Sequence, residues 1–210
     1  MSATPQRSLL WRFLQVFARI GTKLMFDFKA WGVHNVPRSG GVLLLANHQS
    51  YLDPVLVGVH LYRPISFMAK SELFEGNRFF KWLIESLHAF PIKQNSADVG
   101  AIKQAIAKLQ EGNILNIYPE GTRTETGEIG PILNGVALVL KRANVPIVPV
   151  VIDGSFQAWP SGTKIFHKHP IRILYGPPMN VEGLRPNQIV TLIDQTLRDM
   201  LIQLREKFPK

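Results

Sequence analysis

Short apolar runs recur along the chain, each closed by turn residues and parted from the next by a stretch of helical periodicity; this alternation restricts the fold to strands and helices in layers. The run at 42–46, Val-Leu-Leu-Leu-Ala, is apolar throughout and reads as a strand buried on both faces. Strands are also expected at 65–69, 90–92, 113–117, 145–152 and 171–175. Pro146 and Pro149 lack the N–H that a ladder uses, so 145–152 is expected at a sheet edge or a strand end. Helices are expected at 55–61, where Asp53-Pro54 is a favoured opening, and at 72–87 and 135–142. In 97–111, Val99, Ile102, Ile106 and Leu109 share one face and Gly112 stands as a C-cap. A last amphipathic helix carries Ile189, Ile193, Leu197, Leu201 and Leu204. The expected fold class is therefore α/β, a single layered domain with a mostly parallel or mixed sheet flanked by helices.

Residues 8–29 contain no proline, and Leu10, Phe13, Leu14, Phe17, Leu24 and Phe28 recur at helical spacing. Arg12, Arg19 and Lys23 gather on the other side, while Val16 and Phe26 blur the division. Gly21 is a plausible bend, so two short helices are an alternative to one. A basic, aromatic-rich amphipathic helix has the form of an in-plane membrane anchor; the plainer alternative is a helix that covers the domain's own core. The organisation expected is residues 1–30 as an amphipathic membrane-associated segment and 31–210 as the α/β domain.

Composition narrows the partners. With 24 Lys+Arg against 15 Asp+Glu the formal charge is +9, which fits an anionic bilayer, a phosphorylated substrate or nucleic acid. No nucleic-acid motif is visible, and the aligned basic residues flank an apolar stripe suited to lipid, so nucleic acid is not the expected partner. The chain has no cysteine, which excludes a disulfide framework and a thiol nucleophile. The apolar start is broken by Arg12 and Arg19, so no cleaved signal is read, and no window offers about 20 apolar residues for a transmembrane span.

Two blocks carry the candidate chemistry. Asn47-His48-Gln49-Ser50-Tyr51-Leu52-Asp53 runs from the end of one strand to the start of a helix, the edge where open α/β sheets build sites. Five residues apart on a continuous helix would point His48 and Asp53 about 140° away from each other, so they cooperate only across a turn. Imidazole is the natural base near neutral pH, and a neighbouring carboxylate fixes its tautomer. Taken alone, the pair reads equally well as a loop histidine and a helix-capping aspartate. The second block, Tyr118-Pro119-Glu120-Gly121-Thr122-Arg123, also follows an apolar run, and its proline and glycine force a turn. Arg123 offers a forked donor suited to phosphate; the alternative is a solvated arginine paired with Glu120 or Glu125. One histidine among scattered carboxylates does not compose a usual ligand set, so no metal is expected.

These residues resemble the glycerolipid acyltransferase family, whose first hallmark, His-x-x-x-x-Asp, stands here as His48 to Asp53. The second, Phe-Pro-Glu-Gly-Thr-Arg, stands as residues 118–123 with tyrosine first. Phe90-Pro91-Ile92-Lys93 and Val145-Pro146-Ile147-Val148-Pro149-Val150 match two weaker hallmarks in family order. The resemblance implies that His48 takes the proton of an acceptor hydroxyl while Asp53 orients it. It gives Glu120, Gly121, Thr122, Arg123 and Lys93 to substrate binding. It implies transfer from an acyl thioester, acyl-CoA or acyl carrier protein, to 1-acylglycerol-3-phosphate or a related lysolipid, with no cofactor and no acyl-enzyme at Ser50. It also implies a peripheral protein at the cytoplasmic membrane face. Lys93 stands where arginine is frequent, and Ile132-Leu133-Asn134-Gly135 replaces the usual Phe-Lys-x-Gly, so another lysolipid acceptor is an open alternative. The non-enzymatic alternative is an inactive lipid-binding or scaffolding protein. Oligomeric state is not legible.

Overall fold

The computed structural model describes residues 9–75, 78, 81, 89–92, 99–163 and 165–209. The strands are β1 (Lys29–Trp31), β2 (Val42–Ala46), β3 (Ile65–Lys70), β4 (Ala89–Ile92), β5 (Ile114–Ile117), β6 (Ile147–Asp153) and β7 (Arg172–Tyr175). They form one sheet in the order β1-β7-β6-β2-β5-β3-β4. Neighbours run parallel except β6 and β7, so the sheet is mostly parallel, as expected. The helices are α1 (Leu9–Phe26), α2 (Asp53–Gly58), α3 (Val99–Gln110), α4 (Gly135–Ala143), α5 (Ser155–Ala158) and α6 (Pro186–Lys207).

Both faces of the central strands are covered, which is why β2, β5 and β6 are buried along their whole length. Alternation sends Val42, Leu44 and Ala46 to one apolar layer with Leu56, Leu61 and Tyr175. Leu43 and Leu45 go to the other, with Leu109 of α3, Leu140 of α4 and Ile193 and Leu197 of α6. Each such leucine contributes roughly 1.5–3 kcal/mol by leaving water.

Two expectations are corrected and one alternative is decided. The strand at 147–153 is not at a sheet edge, because it lies between β2 and β7; Pro146 stands just before its first residue, at a strand end, but Pro149 lies inside it. Pro149 is tolerated there because the ladder to β7 stops at the Val150–Tyr175 pair; beyond it Pro149 supplies only its C=O, which accepts the Gly176 N–H at 2.8 Å. Lys29, expected at the end of the first helix, and Ala30, expected in the N-terminal segment, join Trp31 in β1 on β7; three residues are too few to show a period. The first helix is one continuous element through Gly21. The helix expected at 72–87 falls largely outside the described residues, which show a 3-10 turn at Ser71–Phe74.

α1 docks in an inverted sense. Ala18, Thr22 and Met25 face the body, Gln15 Nε2 donates to the Leu61 C=O and Arg19 Nε donates to the Val59 C=O, each at 2.8 Å. Phe13, Val16, Phe17, Ile20 and Leu24 are exposed, Leu24 by 74%. A helix that covers a core turns its apolar stripe inward; this one turns much of it out. Among the described residues no helix is long and apolar enough to cross a membrane.

Candidate active site

β2, β5 and β6 are adjacent and parallel, so the loops after Ala46, Ile117 and Asp153 leave the sheet side by side. Asn47 ties the first of them down: its Nδ2 donates to the Ile152 C=O at 3.0 Å and its Oδ1 accepts the Ile152 N–H at 2.7 Å. The chain then turns, and α2 begins at Asp53 with Leu52 as its cap residue. Asp53 makes no capping bond, which removes the helix-cap reading. Its carboxylate turns back instead. Oδ2 accepts the N–H groups of Gln49 and Ser50 at 2.6 and 2.7 Å and lies 2.8 Å from His48 Nδ1. Oδ1 accepts the Ser155 hydroxyl at 2.7 Å.

Asp53 is fully buried and each of its oxygens has a partner, whereas the His48 side chain keeps 18% of its exposure. A carboxylate only accepts, so Nδ1 carries the hydrogen of the neutral ring and Nε2 keeps its lone pair. The Tyr118 ring stacks on the imidazole with centroids 3.8 Å apart and planes 13° from parallel. Burial first, and the Asp53 charge second, push the Tyr118 hydroxyl well above the usual phenol range, so it stays protonated.

The second block grips the backbone of the first. Glu120 Oε1 accepts the His48 N–H at 2.7 Å, and the Thr124 N–H donates to the His48 C=O at 2.8 Å. Glu120 Oε2 accepts the Gly130 N–H at 2.6 Å. The carboxylate assigned to substrate binding thus braces two loops, and it is only 6% exposed. Burial raises its pKa, partly opposed by those N–H bonds.

Arg123 lies with Cζ 3.5 Å from the centroid of the Tyr51 ring, and among the described residues it forms no ion pair with Glu120 or Glu125. Gly121 holds φ +70°, and a Cβ there would meet Leu133 Cδ1 at 2.4 Å, so the turn needs glycine. Leu133 therefore lies against this turn while 54% exposed. Gly121 and Thr122 are exposed at the loop tip. His48, Asp53, Glu120 and Arg123 are brought to one edge; Lys93 lies outside the described residues.

Ser50 is buried, donates to the Trp159 C=O at 2.8 Å and accepts the Leu52 N–H, so its hydroxyl serves the turn. Ser155 was not foreseen. Its signal was the same as for the two blocks: a polar turn, Asp153-Gly154-Ser155, directly after an apolar run. The contacts of Tyr51 and Tyr118 had no sequence signal, because each depends on which strands are neighbours.

An imidazole with one nitrogen committed to a carboxylate can offer the other to a substrate proton, which is the equipment of histidine-based group transfer. The sequence agrees with that chemistry: the family model described as Acyltransferase matches residues 27–153, and the chain belongs to that family. A 1-acyl-sn-glycerol-3-phosphate acyltransferase of Bacillus subtilis is 28% identical over 172 residues, covering 81% of this chain and 83% of that one. One from Pseudomonas aeruginosa is 27% identical over 185 residues, covering 86% and 69%. The chain spans about half of the chloroplastic relative from Arabidopsis thaliana, 50% of its length at 24% identity. A crystal structure titled as the 1-acyl-sn-glycerophosphate acyltransferase from Thermotoga maritima superposes with a TM-score of 0.78 over 95% of this chain and 80% of the other; at 22% identity it speaks for the fold.

Proposed function

We propose that this protein transfers a fatty acyl group from an acyl thioester, acyl-CoA or acyl carrier protein, to the hydroxyl of 1-acylglycerol-3-phosphate or a closely related lysolipid. The observation that carries the reading is the 2.8 Å approach of His48 Nδ1 to a buried Asp53 carboxylate. Nε2 takes the acceptor's hydroxyl proton as its oxygen attacks the thioester carbonyl; the C–S bond then breaks, and the proton passes from the imidazolium to the leaving thiolate. Asp53 stabilises the imidazolium in between. Transfer is direct, with no acyl-enzyme at Ser50, because Ser50 has its hydroxyl engaged elsewhere.

Arg123 holds the acceptor's phosphate, and Glu120 and Thr124 fix the backbone of His48 relative to it. A base contributes about 10² to 10⁴ in rate, whereas orienting two reactants contributes on the order of 7–11 kcal/mol, so this bracing matters as much as the base itself. The protein works as a peripheral membrane protein at the cytoplasmic face, with the outward apolar stripe of α1 in the bilayer and Arg12 and Lys23 beside it. An inactive scaffold of the same fold has no need of a buried carboxylate aligned on a part-exposed imidazole.

The test is to give the purified protein acyl-CoA or acyl carrier protein with a panel of lysolipids and to weigh the products by mass spectrometry. The expected product is the lysolipid plus one acyl group, with one free thiol released per turnover. A panel in which no lysolipid gains an acyl group would overturn the reading in favour of a scaffold.

A further inference from the structure

Between α5 and β7, residues 159–163 and 165–170 have no regular structure, yet their backbone is tied. The His167 N–H donates to the Ala158 C=O at 2.7 Å, Trp159 Nε1 donates to the Thr163 C=O at 3.0 Å, and the Thr163 hydroxyl donates to the Pro160 C=O at 3.0 Å. From this tied loop Ile165 stands 70% exposed and Phe166 42% exposed. A connecting segment with nothing to cover would present polar residues there.

The exposed pair stands beside the last turn of α1, next to its buried Phe26. Phe166 meets Phe26, at the end of α1, with ring centroids 6.1 Å apart, and meets Trp159 at 6.0 Å. Trp159 meets Tyr51 at 5.6 Å, and Tyr51 carries Arg123. One aromatic band therefore joins α1, this loop and the candidate active site.

Charge names the partner. No Asp or Glu precedes Asp27 in the sequence, and none lies between Asp153 and Glu182. Asp27 itself is engaged by Arg172, 2.7 Å away. The exposed charges of the two segments, Arg12, Lys23 and Lys168 among them, are basic and suit an anionic surface.

We propose that residues 159–170 are a second membrane-docking element, which sets Ile165 and Phe166 into an anionic bilayer beside α1 and so brings Tyr51 and Arg123 to the level of the lipid headgroups. This rests on the membrane reading of α1 given above. Two contacts also fix the protein's rotation about the helix axis, which α1 alone leaves free.

The chain has no cysteine, so Ile165→Cys and Phe17→Cys can each carry a single environment-sensitive fluorophore on the full-length protein. On addition of phosphatidylcholine vesicles containing phosphatidylglycerol, both labels are expected to shift to the blue, more weakly as salt is raised. A shift at position 17 with none at 165 overturns the loop proposal and leaves the α1 reading standing. No shift at either position, from protein that still acylates detergent-dispersed acceptor, overturns both. Ile165→Glu is expected to weaken partition onto the same vesicles roughly tenfold and to leave turnover on micellar acceptor unchanged. A matching loss on micelles would assign the loop to the site, and a lipid-free dimer that shields the label would assign it to a second copy; either result overturns the proposal.

Discussion

Asp53 and Arg123 stand at the same sheet edge and are held in opposite ways. Asp53 is fully buried, with donors from Gln49, Ser50, His48 and Ser155 on its oxygens. Arg123 rests on the half-exposed ring of Tyr51. On the proposed function, the proton-handling side is fixed before any substrate arrives, while the anion-binding side keeps freedom to fit one. Leu133, a departure of the chain from the family pattern, lies on the second side, against the turn at Gly121. Chemistry and acceptor choice are separable on this account, and substitutions can be aimed at each.

The largest effect is expected on the rigid side. His48→Ala should lower kcat by about 10² to 10⁴, with an unchanged circular dichroism spectrum and only a small change in melting temperature, because the ring makes one side-chain hydrogen bond and one stacking contact, on Tyr118. Glu120→Gln should come next and should move both quantities. An amide NH2 would face an N–H at either His48 or Gly130, leaving a donor unmatched at roughly 1–3 kcal/mol, which a melting curve would read as a drop of several degrees. An activity loss in that variant without any loss of stability would show Glu120 to bind substrate rather than brace loops.

On the adaptable side the effects should be smaller and should fall on KM. Arg123→Lys keeps the charge and loses the fork, so KM for a phosphate-bearing acceptor should rise about tenfold with kcat little changed. A comparable fall in kcat would break the separation. Leu133→Lys should act in the other direction, lowering KM for the phosphate-bearing acceptor a few-fold relative to an uncharged one.

The smallest effect lies away from the edge, at His60, which stacks on Phe28. Burial first, and the Arg19 charge second, hold its pKa below the ordinary imidazole range. As pH falls through about 6.5, the unfolded chain takes up a proton there that the folded chain still refuses, so stability should fall on acidification in that window. His60→Phe should flatten this slope in denaturant titrations at graded pH.

Much of the fold was legible because buried parallel strands announce themselves as apolar runs; β2 needed no more than that, and β5 reads the same way apart from Asn116. β1 was not, since three residues lie below any periodicity. The interior place of Pro149 was hidden because it depends on where a ladder ends, which is a property of the partner strand. At the site, the residue types of both blocks and their position after strands were readable. Their grip on each other was not, because Glu120 reaches the His48 backbone only through the β2–β5 adjacency. The helix-cap reading of Asp53 was reasonable from Asp-Pro and failed because the carboxylate finds closer donors behind it than ahead. The outward stripe of α1 agrees with one of the two readings its periodicity allowed, the in-plane anchor, although a hydrophobic stripe alone does not say which way it turns.

The most direct test concerns the hydrogen on His48. In protein labelled with nitrogen-15 at histidine, with the resonance assigned by its loss in His48→Ala, long-range proton–nitrogen spectra report which ring nitrogen is protonated. The Nδ1–H form, with an unprotonated Nε2, is predicted at pH values where the ring is neutral. A neutral His48 carrying its hydrogen on Nε2 would have no free base to offer an acceptor and would contradict the account.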